Sequence, residues 1–113
     1  ENYNDLYEIT IQNFEWNQIS QTGTIPSKRR SFSYFRRQSE FYIFGGDFGK
    51  RDVFKLDLDT KNWTYLTNFT EVKTGTSAVL FKNQLGIIYG GNTLTQNDLE
   101  LYFIDENILK PIV

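Results

Sequence analysis

The chain contains no cysteine and no histidine. Without cysteine there is no disulfide framework, no thiol chemistry and no thiolate metal site. Without histidine the usual general base near neutral pH is missing, and so is the commonest metal ligand. Long apolar runs are absent too, since nothing approaches the roughly eighteen residues of a membrane helix. Residues 1–7 lack the basic, apolar and small-residue segments of a signal peptide. Excess charge is also scarce: a formal net charge of -2 gives no global pull towards nucleic acid or an anionic membrane.

What is present favours sheet. An apolar content of 39% in 113 residues is enough for a packed core. The aromatics are Phe and Tyr far more than Trp, beside many β-branched residues, which suits strands better than helices. Phe44-Gly45-Gly46 and Tyr89-Gly90-Gly91 end two hydrophobic runs with their first glycines 45 residues apart. Asp5 and Asp52, with Trp16 and Trp63, repeat at an interval of 47. These offsets predict a tandem array of one small β unit.

The unit reads as four strands. Leu6 to Ile11 alternates as a half-buried strand, Gln12 to Glu15 turns, and Trp16 to Ile19 is a second strand. Thr22 to Ser27 is loop, with Gly23 and Pro26 supplying the bend. Ser31 to Phe35 is a third strand, Arg36 to Ser39 its turn, and Glu40 to Phe44 a fourth. The order then restarts with Val53 to Leu58, the turn Asp59 to Asn62, and Trp63 to Leu66. Ser77 to Phe81, the turn Lys82 to Gln84, and Leu85 to Tyr89 close that cycle; Leu99 to Ile104 opens the next. Superposed, Asp5, Asp52 and Asp98 coincide, as do Leu6, Val53 and Leu99, then Gln12, Asp59 and Asp105, then Trp16, Trp63 and Leu109. Four strands joined by short turns make a meander, and radial packing of such sheets is the propeller solution.

Together these positions resemble kelch repeats. Phe41-Tyr42-Ile43-Phe44-Gly45-Gly46, Phe54 and Trp63, preceded by Pro26 and Arg30, supply the fuller copy. Ile87-Ile88-Tyr89-Gly90-Gly91 and Tyr102 supply another, and Tyr7 and Trp16 the tail of one before. The resemblance implies an all-β fold of kelch-type β-propeller blades, four-stranded antiparallel sheets, incomplete as given. Residues 1–113 are then part of one propeller, with an outer half-blade at about 5–19 and blades at about 30–67 and 75–112. Closed propellers typically have about four to eight blades, so a parent propeller of roughly 250–350 residues is expected. The second copy departs from the pattern in having no proline in its leading loop and Gly75 in place of Arg30. Leu109 stands where a third Trp belongs, and Lys110-Pro111 is expected to disturb strand pairing.

The resemblance also distributes roles. Gly45, Gly46, Gly90 and Gly91 are expected to be structural, Trp16 and Trp63 to fill the seams between blades, and Arg30 to bond loop carbonyls. The partner-binding rim is expected after the paired glycines and in the leading loops. Its candidates are Lys28, Arg29, Asp47, Phe48, Lys50, Arg51, Asn92, Thr93 and Gln96, with Arg36 and Arg37 in a turn at the opposite end. The basic members suit a carboxylate or phosphate, for which arginine offers a bidentate fork. Recurrence of the aspartates at the repeat offsets reads as turn and edge chemistry rather than paired acid–base catalysis. Gly45 to Lys50 lacks the spacing of a Walker loop. Asn62-Trp63-Thr64 and Asn68-Phe69-Thr70 read as chance matches to the glycosylation pattern.

The expected function is a non-catalytic protein–protein interaction or scaffold module in the cytoplasm, with no cofactor. Its partner would be another protein or subunit, or the missing blades of the same chain, with no nucleic acid and no membrane. The alternative is part of a kelch-like propeller enzyme such as a copper oxidase, with its cysteine and histidines in blades outside this sequence.

Overall fold

The computed structural model describes residues 4–10, 14–47, 49–69, 71, 73–91 and 99–112. Its regular elements are all strands: β1 (Leu6–Thr10), β2 (Glu15–Ile19), β3 (Thr22–Gly23), β4 (Ser33–Arg37), β5 (Glu40–Gly46) and β6 (Lys50–Asp57). These continue as β7 (Asn62–Asn68), β8 (Ser77–Phe81), β9 (Leu85–Tyr89), β10 (Leu99–Phe103) and β11 (Ile108–Pro111). They form three sheets with strand orders β1-β2, β3-β7-β6-β5-β4 and β11-β10-β9-β8. Neighbouring strands are antiparallel except β3 with β7.

Short polar turns make the meander. Asp57 Oδ1 accepts the backbone N–H groups of Asp59 at 2.9 Å and Thr60 at 3.0 Å, which reverses the chain between β6 and β7. Those bonds, Thr60 first, hold the Asp57 carboxyl below the ordinary carboxylate value. Between β8 and β9, Lys82 and Asn83 both take positive φ (51° and 59°), the hand that matches the twist of a tight hairpin.

The alternation of β5 sends its residues into two seams. Tyr42 and Phe44 join Phe35, Val53, Phe69, Ile88, Tyr102 and Ile104 between the second and third sheets. The Phe44 and Tyr102 rings meet edge to face with centroids 5.8 Å apart, a contact that adds about 0.5–1.5 kcal/mol to simple burial. Gly86 lies directly under Phe35, and a Cβ there would stand 2.7 Å from that ring. Ile43, Phe54, Leu56 and Trp63 form the other seam, with Leu6, Phe32, Phe41 and Leu58 at its margin. The Trp63 indole N–H donates to Gln21 Oε1 at 2.6 Å, so this buried ring keeps its one polar group satisfied.

Four expectations change. Thr22–Gly23, read as loop, is a short parallel strand on β7, secured by Thr22 N–H to the Lys61 carbonyl at 3.1 Å and Thr24 N–H to the Trp63 carbonyl at 3.0 Å. The strand expected at Ser31 begins at Ser33, because Ser31 takes a left-handed φ of 59° that interrupts extension. It runs through Arg36 and Arg37, leaving Gln38 and Ser39 as the turn; Arg37 Nη1 and Nη2 each lie 3.0 Å from a carboxylate, of Asp105 and Glu40 respectively. Pro111 does not disrupt pairing. It sits opposite Glu100 on an edge strand, where a missing N–H can face away from the ladder.

Trp16 is the fourth change. It was expected in a seam, yet it is 69% exposed while Trp63 is 8% exposed. The physical reason is the neighbour: the sheet of β1 and β2 covers Trp63, whereas no described sheet covers the face carrying Tyr7 and Trp16. Trp16→Ala should therefore leave the unfolding free energy, read by urea titration, within about 0.5 kcal/mol of the parent. A loss several times larger would show that Trp16 has a packing partner.

Candidate functional site: the loop rim

Three loops meet at one end of the sheets, and paired glycines let them do so. Gly45 and Gly46 have φ of 61° and 129°, which turns the end of β5 sharply. The Gly46 N–H then donates to the Lys73 carbonyl at 2.7 Å, and the Asp47 N–H to the Arg30 carbonyl at 2.9 Å. The Gly75 N–H donates to the Ser31 carbonyl at 2.9 Å. The loop before β4, the turn after β5 and the loop before β8 thus share one surface.

Asp47 is the clamp of that surface. Its Oδ1 accepts from the Thr74 hydroxyl and its Oδ2 from Arg30 Nε, both at 2.7 Å. The Thr74 bond and then the Arg30 bond hold its carboxyl below the ordinary aspartate value. Asp47 was expected to face a partner; its carboxylate is instead occupied in joining two loops.

Arg29 and Arg30 exchange the roles expected for them. Arg29 is buried, at 6% exposure. Its Nη1 bonds the Gly45 carbonyl at 3.1 Å and Asp52 Oδ1, while Nη2 reaches Asp52 Oδ2 at 3.2 Å. Its Nε donates to the Ser27 carbonyl at 3.1 Å, and the guanidinium stands 5.4 Å from the centroid of the Phe54 ring. Arg29 is therefore a brace between the leading loop and β6, not a partner contact. The Arg30 side chain is 64% exposed and pairs with Asp47. In Lys28-Arg29-Arg30 three cations stand side by side in a loop, and a loop has no fixed period to say which one turns inward.

The next leading loop has a brace of its own. Lys73 is 2% exposed, and its Nζ lies 3.2 Å from Glu100 Oε1 and 3.7 Å from Glu71 Oε1. Burial pushes the Glu100 carboxyl above the ordinary glutamate value, and the Lys73 charge opposes that rise. Glu100 escaped the sequence reading. The signal was available: it stands two residues before Tyr102 in β10, and alternate strand residues share a face.

Of the rim candidates, Lys28 and Arg51 are exposed and Lys50 is half-buried. With Arg30 they form the basic part of the rim. Phe48, Asn92, Thr93 and Gln96 lie outside the described residues. Gly45, Gly46 and Gly91 stand where another residue's backbone comes close; Gly90 has no such neighbour within 4 Å.

Meandering sheets in tandem, paired glycines at the ends of inner strands and a shared loop rim define a repeat protein built from propeller-type blades. The family model of the KLHDC2/KLHL20/DRC7 Kelch-repeats domain matches residues 1–110. The chain belongs to the kelch-repeat family. Among curated relatives, Kelch domain-containing protein 3 of Bos taurus is 32% identical over 68 residues, covering 56% of this chain and 18% of that protein. Leucine-zipper-like transcriptional regulator 1 of Pongo abelii is 27% identical over 120 residues, covering 90% of this chain and 14% of that protein. A protein named alanine–tRNA ligase from Buchnera aphidicola subsp. Baizongia pistaciae (strain Bp) is 31% identical over 116 residues, covering 95% of this chain and 12% of that protein. The chain thus spans less than a fifth of the length of each of these relatives.

Proposed function

We propose that the chain is a non-catalytic protein-interaction module whose loop rim accepts an acidic segment of another protein. Membership of the kelch-repeat family supports an interaction role. The observation that carries the choice of surface is the exposure of Lys28 and Arg30 on the leading loop that Asp47 ties to the Thr74 loop, and of Arg51 at the start of β6. A rim of this kind gives electrostatic attraction without asking the chain to bury an unpaired charge.

The test is binding of glutamate-rich and phosphoserine-containing peptides to the parent and to a Lys28→Glu, Lys50→Glu, Arg51→Glu variant. These positions avoid the buried Arg29 brace and the Asp47 clamp. Affinity should fall at least about tenfold in the variant, which corresponds to about 1.4 kcal/mol, and parental binding should weaken as salt rises. Equal binding by both proteins, or no preference for acidic over basic peptides, would remove the rim from this role.

A further inference from the structure

The loop that leads into β8 is fastened to the second sheet by backbone bonds. The Phe69 N–H donates to the Arg51 carbonyl at 2.7 Å, the Lys73 N–H to the Lys50 carbonyl at 3.2 Å, and the Gly46 N–H to the Lys73 carbonyl at 2.7 Å. Lys50 and Arg51 are basic members of the rim. Whatever holds Lys73 in place therefore also holds this part of the rim together.

The Lys73 side chain sits in an uneven cluster of charge. Its ammonium meets two carboxylates, Glu100 and Glu71, whose side chains are 1% and 10% exposed. Among the described residues these two are the charged groups that face Glu100; its neighbours across β9 and β11, Ile88 and Pro111, carry no charge. The brace of the preceding loop is balanced, one Arg29 with one Asp52 that keeps contact with water. The Lys73 cluster instead sets one cation against two anions, with almost no water to spread the excess. Negative charge held out of water is costly, and a carboxylate relieves it by taking up a proton. Burial acts most strongly in raising the Glu100 carboxyl, Glu71 adds to the rise, and the Lys73 charge opposes it without cancelling it.

Lifting of the loop gives the same relief by another route. It moves Lys73 and Glu71 away and lets water reach Glu100, whose carboxyl then returns to the ordinary glutamate value. A group that holds its proton more tightly in the closed form than in the open one favours closure as pH falls. The gain appears as pH falls through the raised value of Glu100 and is complete below the ordinary value of about 4.3. Asp47 works in the opposite sense. Its carboxyl lies below the ordinary aspartate value, so its clamp on Thr74 persists across this window and is lost only at lower pH.

We propose that Glu100 is a proton-operated latch of the loop rim. With its proton on, the Lys73 loop is held against β5 and β6; with its proton off, the loop opens more often. Mild acidification then fixes the backbone that carries Lys50 and Arg51, and neutral pH loosens it. The use of the latch in regulating binding rests on the acidic-segment reading above. The latch itself is read from loop opening, so each can fail without the other.

The test is amide exchange at Gly46 and Lys73, expressed as protection relative to an unstructured chain at the same pH, in the parent and in Glu100→Gln. Glutamine matches the protonated carboxyl in shape and charge. Between about pH 7.5 and about pH 4.5 the parent's protection should rise at least about threefold at both amides, while the variant holds the higher level throughout. A carboxyl-carbon titration of Glu100 in the parent should place its midpoint above the ordinary value of about 4.3. Protection that stays flat or falls in the parent overturns the latch, as does a midpoint at or below the ordinary value. A variant that keeps the parent's pH profile overturns it as well. So does a variant that loses protection at every pH, because the ionised carboxylate would then be what holds Lys73.

Discussion

Gly45→Ala is expected to cost about 4 kcal/mol or more, a large share of the roughly 5–15 kcal/mol that holds a domain folded. A Cβ at this position would stand 2.2 Å from the Lys73 carbonyl oxygen and 3.0 Å from the Lys73 Cβ. The nearest obstacle is backbone, so no side-chain rotation relieves it. That carbonyl also accepts the Gly46 N–H at 2.7 Å, so moving it away breaks the bond that joins β5 to the next leading loop. A positive φ of 61° adds about 1–2 kcal/mol for any residue with a Cβ. Gly90, at the equivalent place in the next copy, is the internal comparison. It has φ of 77° but no atom within 4 Å of its would-be Cβ, so Gly90→Ala should cost only the about 1–2 kcal/mol of backbone strain. Urea unfolding of both variants measures the difference; equal midpoints would mean that the Lys73 loop yields easily.

Arg29→Ala is expected to lose about 3 kcal/mol. The substitution abandons the Gly45 carbonyl and leaves Asp52 without its partner, and breaking a buried pair on one side costs roughly 3–5 kcal/mol. Asp52 retains 25% exposure of its side chain, so water recovers part of that cost and the lower end applies. For a domain near this size the melting temperature should fall by roughly 12–24 °C. Arg29→Lys keeps the charge but not the planar fork that serves Asp52 and Gly45 together, and should recover only part of the loss. Arg30→Ala, at a side chain 64% exposed, should change stability by less than about 1 kcal/mol. Thermal unfolding of the three variants reads the ranking directly. Loss at Arg30 exceeding loss at Arg29 would reverse the assignment of the brace.

The strand repeat was legible because it rests on local rules. Alternation, turn residues and paired glycines placed β8 and β9 at Ser77–Phe81 and Leu85–Tyr89, the bounds observed. Neighbour-dependent features were not legible. Trp16 and Trp63 share a repeat position, and only the presence of a covering sheet separates an exposed ring from a buried one. Arg29 and Arg30 differ by one loop step that no periodicity governs. The Lys73–Glu100 pair joins residues from a loop and a strand, and its carboxylate was passed over among apolar residues although its register pointed inward. At the rim, the repeat pointed to the segments that meet there, since Gly46 and Asp47 bond the Lys73 and Arg30 carbonyls. The conversion of Asp47 from contact residue to clamp depended on Thr74, which arrives from another loop.

The parallel pairing of β3 with β7 gives the chain a mechanical asymmetry. Tension applied ahead of Thr22 runs along β3, while the chain leaves β7 at the opposite end of the same ladder. The bonds from Thr22 N–H to Lys61 and from Thr24 N–H to Trp63 are therefore loaded together in shear. The first sheet, a two-stranded hairpin, can instead be unzipped one pairing at a time. A pull from that side strips β1 and β2 first and then meets a fastener only two residues long, which protects the Trp63 seam after its outer cover has gone.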